Sequence, residues 1–463
     1  MRLAVGLIVF AALLRGLVWG AVLPPWQGPD EPAHFAYIQR IATTGEIPAQ
    51  HHAPPDRFSV ATEVSVRAAG YLPSRTHQPL RLLRRGLQAF PVERDNLPQE
   101  NHGGLITWKY PPAYYLIATP AYLLPFLQTD TERLYAVRSV SAVLGAIAVW
   151  LVLLLLLEAG VAPVLALLGA SAYAVLPMVT QASAICNPDV LLMAAIAGLA
   201  RSGLVLCRGW TRRSAVVVAL WALLATLTKP IGGPAAVMVI VGIVGFGMGP
   251  RTVRRRVAAV AAVAVALVVT YVVEAAAATW TPFGRAGPLA AVRYGLSYLW
   301  QFYLPPLSFM DKANSAYRSF HSLPSWRVWV ETGTGFFGWL TVPMPSWAYN
   351  LAFWSVVAAS GTALWACIRT RGRSERALPA LLAAALGYVL LLHLAEVLLL
   401  LQGGFDLLLQ GRYLIPVVPL FAVALYQPFS RIGRLGSLAA GALLLVAAVL
   451  SVEAMNDVLV FFG

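Results

Sequence analysis

Asp30 and Glu31 are the residues best placed to do chemistry. They stand side by side between Pro29 and Pro32 in PPWQGPDEPAHFAYIQRIATTGEIP (residues 24–48), directly after the first apolar run. Proline is favoured at the first helical position, where its missing N–H costs nothing. That places Pro32 at the helix start, Glu31 at the N-cap and Asp30 just outside. The helix is expected to run to about Thr44, with Gly45 as its stop. An acid aimed by a Pro-Asp-Glu-Pro turn beside a membrane span suits a general base, and an ordinary helix cap is the competing account. Asp30 and His34 are four apart and could share a divalent ion, although the ligand set is incomplete. His51, His52 and His102 lack zinc-site spacing and read as loop histidines.

Fixed cations follow along the chain. Lys109 precedes Pro111-Pro112, and Arg138 begins the second apolar run. CNPD (186–189) brings Asn187 and Asp189, TKP (228–230) brings Lys229, and QGRYLIP (410–416) brings Arg412 and Tyr413. Singly, each has a plainer explanation as a turn, a snorkelling lysine or a headgroup anchor. Together they suit an anionic, lipid-linked substrate. Lysine and arginine hold a phosphate or pyrophosphate and stabilise the charge growing on it as it leaves, while a carboxylate takes the proton of an attacking hydroxyl. That chemistry is glycosyl transfer from a polyprenyl-phosphate sugar. It needs no nucleotide site, and the sequence contains no Walker-type lysine.

The elements that must position these residues are membrane helices. Of 463 residues, 59% are hydrophobic and 12% charged, and the mean hydropathy is +0.70. A soluble chain carries about a quarter charged residues. Several apolar runs reach the roughly 20 residues that cross a bilayer. The fold class expected is an all-α polytopic membrane protein. The net charge of +14 lies mostly in arginine clusters between apolar runs, which is topology information rather than a nucleic-acid footprint. Cys186, Cys207 and Cys367 form no disulfide or metal-binding pattern.

Spans are expected at about 3–23, 134–157, 162–183, 189–207, 215–228, 232–248, 257–275, 350–368, 379–400, 414–427 and 435–452. The first is taken as a retained anchor, because no small-residue cleavage site follows it. The run 108–126 is short and broken by Pro120 and Pro125, and reads as a half-helix or surface helix. With it outside the count, the arginine loops 208–213, 250–256, 369–376 and 431–434 all face the cytoplasm, as the positive-inside rule requires. About eleven spans result, with the N-terminus on the cytoplasmic side and every motif above on the external face. A long first external loop (24–130) carries the amphipathic stretch 75–90, and a second external segment (276–349) holds Trp280, Trp326, Trp329 and GFFGWLTVPMPSW (335–347). The chain reads as one membrane domain over 1–463.

The order of motifs resembles the GT-C clan of integral-membrane glycosyltransferases, which includes protein O-mannosyltransferases and the aminoarabinose transferase of lipid A. Those families place an Asp-Glu motif after the first span, as in GPDEPAHFAYIQ, then a basic residue and double proline like Lys109-Tyr110-Pro111-Pro112. An arginine resembling Arg138 and an aspartate resembling Asp189 follow. DEPAHF, NPDVLL (187–192), TKP, FFGWL (336–340) and QGRYLIP are most similar to a bacterial family of unknown function in that clan (DUF2142-like). The resemblance implies an inverting hexosyl- or pentosyltransferase using a polyprenyl-phosphate sugar and a glycan, lipid or protein acceptor. Asp30, with Glu31 beside it, is then the base. The donor contacts are drawn from Lys109, Arg138, Asn187, Asp189, Lys229, Arg412 and Tyr413. No cofactor is certain, and magnesium or manganese dependence is left open because clan members differ.

Two other function classes fit parts of the pattern. A transporter or flippase of a lipid-linked saccharide wants cations and apolar grooves too, but commonly shows internal repeats and mid-membrane charges. No convincing repeat is present, and the ionisable residues within apolar runs are Glu274, His393 and Glu396. The last two lie three apart on one helix face, where a mutually satisfied polar pair is a simpler account than a proton relay. A non-catalytic scaffold leaves the polar motifs unexplained. A glycan ligase using a prenyl-pyrophosphate donor keeps the fold and alters the chemistry.

Overall fold

A computed structural model describes residues 2–48, 57–59, 99–104, 107, 110–245, 287–310, 325–338, 340–369, 377–401 and 410–462. Lys109, Glu274, Trp280, His51, His52, the stretch 75–90, the run 257–275 and the loops 250–256 and 370–376 lie outside the described residues.

The chain is an all-α polytopic membrane protein. α1 (Arg2–Val22) is followed by α2 (Glu31–Thr44), a short antiparallel pair of β1 (Arg57–Ser59) with β2 (Gln99–Gly104), and α3 (Ala113–Tyr122). α3 has 10 residues and is therefore roughly 15 Å long, too short to cross a bilayer. Next come α4 (Asp130–Glu158), α5 (Pro163–Val175), α6 (Pro177–Ala184), α7 (Asp189–Arg208), α8 (Arg212–Thr226) and α9 (Gly232–Gly245). The later part comprises α10 (Gly287–Tyr303), α11 (Trp326–Thr334), a hairpin of β3 (Phe336–Phe337) and β4 (Val342–Pro343), α12 (Ser346–Arg369) and α13 (Ala377–Leu401). A 3-10 helix (Gly411–Val417) then runs into α14 (Val418–Phe429), and α15 (Gly433–Phe462) closes the chain. Among the described residues, 7 helical runs are long and apolar enough to cross a membrane.

The span expected at 162–183 is instead two helices, α5 and α6, bent by 62° at Leu176–Pro177. Pro177 cannot donate the hydrogen bond that would continue α5 and opens α6. Two other boundaries also move. α4 starts at Asp130 because Thr129 and Glu132 form a capping box, so Arg138 lies two turns inside the helix rather than at its start. In α2 the N-cap is Asp30, one residue earlier than expected, which leaves Glu31 and Pro32 in the first turn. Gly45 is the αL stop, with its N–H bonded to the Ile41 carbonyl.

α7 is buried along nearly its whole length, packed against α4, α8 and α9. α4 is its main partner and also lies against α1, α5 and α6. Close approach depends on small residues: a Cβ at Gly145 of α4 would collide with Ser183 of α6. Outward-facing Leu3, Leu7 and Phe10 of α1, and Val452 and Val460 of α15, are exposed, as lipid-facing positions should be.

One buried ion pair ties this core to the polar loop. Arg138 Nε and Nη2 donate to Glu31 Oε1 (2.9 Å) and Oε2 (2.6 Å). Its remaining bonds go to the carbonyls of Gly20 (2.8 Å), Leu23 (2.6 Å) and Pro24 (2.9 Å) at the end of α1. Glu31 accepts further from the backbone N–H groups of Gly28 and Cys186. A guanidinium has five N–H donors, and these contacts use them all. α1, the 24–31 loop, α4 and the α6–α7 connection are thereby held at one point.

Removing one partner of such a pair strands the other in a dry interior, at a cost of about 3–5 kcal/mol. Arg138→Ala is expected to lower the thermal midpoint of the detergent-purified protein sharply or to prevent its recovery as a monodisperse species. An unchanged midpoint would contradict the structural role. Gly411→Ala tests the seat of the 3-10 helix, since a Cβ there would lie 2.1 Å from the Trp329 carbonyl oxygen and 2.6 Å from the Gly333 nitrogen. Overpacking of that kind costs about 1–3 kcal/mol, readable in the same melt.

Candidate functional site

The PDEP turn supplies the first side chain. Asp30 takes φ 59° and ψ 11°, the left-handed region that Asp and Asn tolerate better than other non-glycine residues. It occupies the N-cap position, yet its carboxylate makes no cap hydrogen bond. The oxygens are left to face outward from the helix start, and Oδ2 accepts from Arg412 Nη2 at 3.1 Å. Adjacent Glu31 is fully buried in the pair with Arg138. The two acids therefore have different environments, set by which of them α4 captures.

Arg412 is delivered by the 3-10 helix. Gly411 N–H donates to Thr332 Oγ1 of α11 (2.6 Å), and the Tyr413 carbonyl accepts from Tyr388 Oη of α13 (2.8 Å). The backbone is thus fixed on both sides of Arg412. Its guanidinium contacts Asp30 and, more loosely, Tyr413 Oη (3.4 Å), while the buried Nε–H has no protein partner. Unlike Arg138, it retains an open donor.

Lys229 sits in the turn between α8 and α9, where its Nζ donates to Asp189 Oδ1 at 2.5 Å. Asp189 opens α7, and its N–H is held by Asn187 Oδ1 (2.9 Å) in the turn-then-helix arrangement that NPD encodes. Asn187 Nδ2 reaches the Pro29 carbonyl at 3.5 Å, linking this turn to the one bearing Asp30. The Tyr413 ring is close to both cations, 5.1 Å from Lys229 Nζ and 5.2 Å from Arg412 Cζ. Tyr110, next to Lys109 in the KYPP motif, places its ring 5.9 Å from Lys229. α3 is anchored to the same place, since Ala113 N–H donates to the Leu227 carbonyl (2.9 Å).

Burial pushes the Asp30 carboxyl up, but Arg412, with His34 and Lys229, outweighs it and holds the group below the ordinary carboxylate range. Burial would likewise strip the Lys229 proton, and Asp189 reverses this and keeps the ammonium charged. His34 is driven down to about 3 by burial, only partly opposed by Asp30, and is neutral. Its Nδ1 pairs with Tyr115 Oη at 2.9 Å. Among the described residues, no group of three His, Cys, Asp or Glu side chains converges, so Asp30 and His34 gain no third metal ligand.

Asp30, Asn187, Asp189, Lys229, Arg412 and Tyr413 therefore meet, although they are spread over 384 positions of sequence (413 less 30, counted inclusively). Glu31 and Arg138 lie beneath them in a closed pair with no free edge. His393 lies apart from this group. Its Nε2 engages Tyr303 Oη of α10 at 2.8 Å and its ring stacks on Trp329 at 4.9 Å, so its described partners lie on other helices rather than on its own face. Tyr110 and Tyr388 were not singled out from the sequence. Tyr110 was legible only as part of the KYPP motif, and Tyr388 carried no signal beyond being a phenol in an apolar run.

No curated protein matches the chain. Among solved structures, the crystal structure of ArnT from Cupriavidus metallidurans in the apo state is similar over 97% of this chain and 77% of that one, with 15% identity and a TM-score of 0.34. The family described as "Predicted membrane protein (DUF2142)" matches residues 13–421. The chain belongs to the DUF2142 family of predicted membrane proteins.

Proposed function

We propose that the protein is a GT-C-type membrane glycosyltransferase that moves a sugar from a polyprenyl-phosphate donor to an acceptor hydroxyl at the external face of the membrane. The observation that carries this reading is the Asp30–Arg412 contact: a carboxylate free of capping duty, 3.1 Å from a guanidinium that retains an unpartnered N–H. Lys229 stands near them, 5.1 Å from the Tyr413 ring.

In this reading Arg412 and Lys229 hold the donor phosphate, and the prenyl chain lies against the apolar helix surfaces. Asp30 accepts the proton of the acceptor hydroxyl as that oxygen bonds to the anomeric carbon. The bond from that carbon to the phosphate oxygen breaks with inversion, and its electron pair leaves on polyprenyl phosphate, whose charge the two cations stabilise. Asp30 takes the base role and Glu31 does not, because Glu31 is saturated by Arg138 and two backbone donors. Asp189 and Asn187 orient Lys229. Arg138 positions the PDEP turn.

Asp30→Asn is expected to abolish transfer of labelled sugar, by a factor of about 10² or more, without loss of donor binding. Arg412→Ala should instead raise the Kd for the donor by roughly tenfold or more. Normal turnover by the Asp30 variant would end the base assignment.

The pH profile offers an independent check. A base must be unprotonated, so activity falls only as pH drops through the depressed Asp30 value, below the ordinary carboxylate pKa of about 3.9. His34, at about 3, does not titrate in the neutral range. kcat/KM for the donor should therefore be flat on its acid side down to about pH 5. An acid limb centred near neutrality would assign the base to another group.

A further inference from the structure

Each cation of this group is paired with a carboxylate. Arg412 is matched by Asp30 and Lys229 by Asp189, and His34 is neutral. An entering phosphate brings negative charge into a region with no spare positive charge among its described residues. The unpartnered Nε–H of Arg412 can receive it, and a second bond from the same edge of the guanidinium then draws Arg412 away from Asp30.

The two pairs differ in how readily they can open. Lys229–Asp189 is short at 2.5 Å, with side chains 8% and 7% exposed, and Asp189 is locked by Asn187. Asp30–Arg412 is a single bond of 3.1 Å, with side chains 12% exposed for Arg412 and 25% for Asp30. Asp30 makes no cap bond that would resist its release. Arg412 Nε–H is unpartnered, and it shares an edge of the guanidinium with Nη2, the nitrogen that now holds Asp30. Phosphates favour that two-donor edge.

Resting on the transferase reading, we infer that Arg412 has two successive partners: Asp30 while the site is empty, and the donor phosphate once it arrives, so that donor binding is what frees the base. The exchange makes catalysis ordered. An acceptor reaching the site first meets a carboxylate occupied by Arg412, and only after the phosphate takes the guanidinium is Asp30 available to an incoming hydroxyl. Arg412 is thus a positioning residue for the base as well as a donor contact.

The test is equilibrium binding of a long-chain polyprenyl monophosphate, without sugar, to the full chain in lipid nanodiscs. Wild type is compared with Asp30→Asn, Arg412→Ala and the double variant. Asparagine tolerates the αL conformation of position 30, and Asp30→Gly, which suits φ 59° as well, repeats the measurement should Asn perturb folding. Because Asp30 competes for Arg412, its removal should tighten binding by about tenfold, within the usual range for coupled sites. That gain should vanish in the Arg412→Ala background. Binding by wild type that weakens in Arg412→Ala but is unchanged or weaker in Asp30→Asn would overturn the exchange and leave the donor site standing. No binding by wild type, or binding indifferent to Arg412→Ala, would remove the donor-site reading and the exchange with it.

Discussion

The arrangement depends first on the buried Glu31–Arg138 pair. Replacing such a pair by well-packed apolar side chains is often neutral or stabilising, so it is not explained as a source of net stability. What it provides here is a single solution to a hydrogen-bond count. Arg138 has five donors, and its acceptors come from the end of α1 and from Glu31. Glu31 in turn takes the N–H groups that begin the PDEP turn and the NPD turn. Few other packings of α1, α4 and α7 would satisfy the same groups, and each failure would leave a polar atom buried without a partner. Asp30 inherits this precision because its Cα lies one peptide away, about 3.8 Å from that of Glu31.

From that fixed point the charge pattern follows. Arg412 comes from the other end of the chain, on a 3-10 helix whose flanking residues are bonded to α11 and α13. Lys229 comes from the α8–α9 turn and is held by the start of α7. Two cations near one another in a partly dry region repel, and the Tyr413 ring is close enough to each for a favourable cation–π contact. The planar guanidinium and the point-like ammonium also make different demands. The first can offer two parallel donors to a phosphate, and the second one concentrated charge.

Much of the fold was legible in the apolar runs, because a bilayer imposes length and composition on every spanning helix. Helices α1, α7, α12 and α13 fall where hydropathy placed them, while α10 and α11 lie in the segment read as external and α15 runs past its expected end. What hydropathy could not show was the bend at Pro177, since a proline in a 22-residue apolar window changes direction without changing composition. The early start of α4 was available in principle from Thr129-x-x-Glu132, a capping box in polar sequence that hydropathy passes over. In the site, residue types marked the participants but not their states. Arg138 and Arg412 looked alike as arginines at span edges. Only the count of their hydrogen bonds separates the saturated one from the one with an open donor. Similarly, Asp30 and Glu31 were interchangeable until α4 was seen to capture the second.

The same economy explains why Asp30 and Arg412 are paired. A lone cation or carboxylate at the edge of a membrane-embedded core is expensive, so each tends to acquire a counter-charge wherever the backbone allows. A site built to receive an anion must therefore keep its cations neutralised until the anion comes. It can do so with carboxylates that have no other task, as Asp189 does for Lys229, or with one that has a task of its own. Asp30 has no cap bond, is the most exposed acid of the group and sits on the turn that Glu31 has already fixed. Pairing it with Arg412 neutralises both groups and, on the proposed reading, makes the availability of one depend on the occupancy of the other.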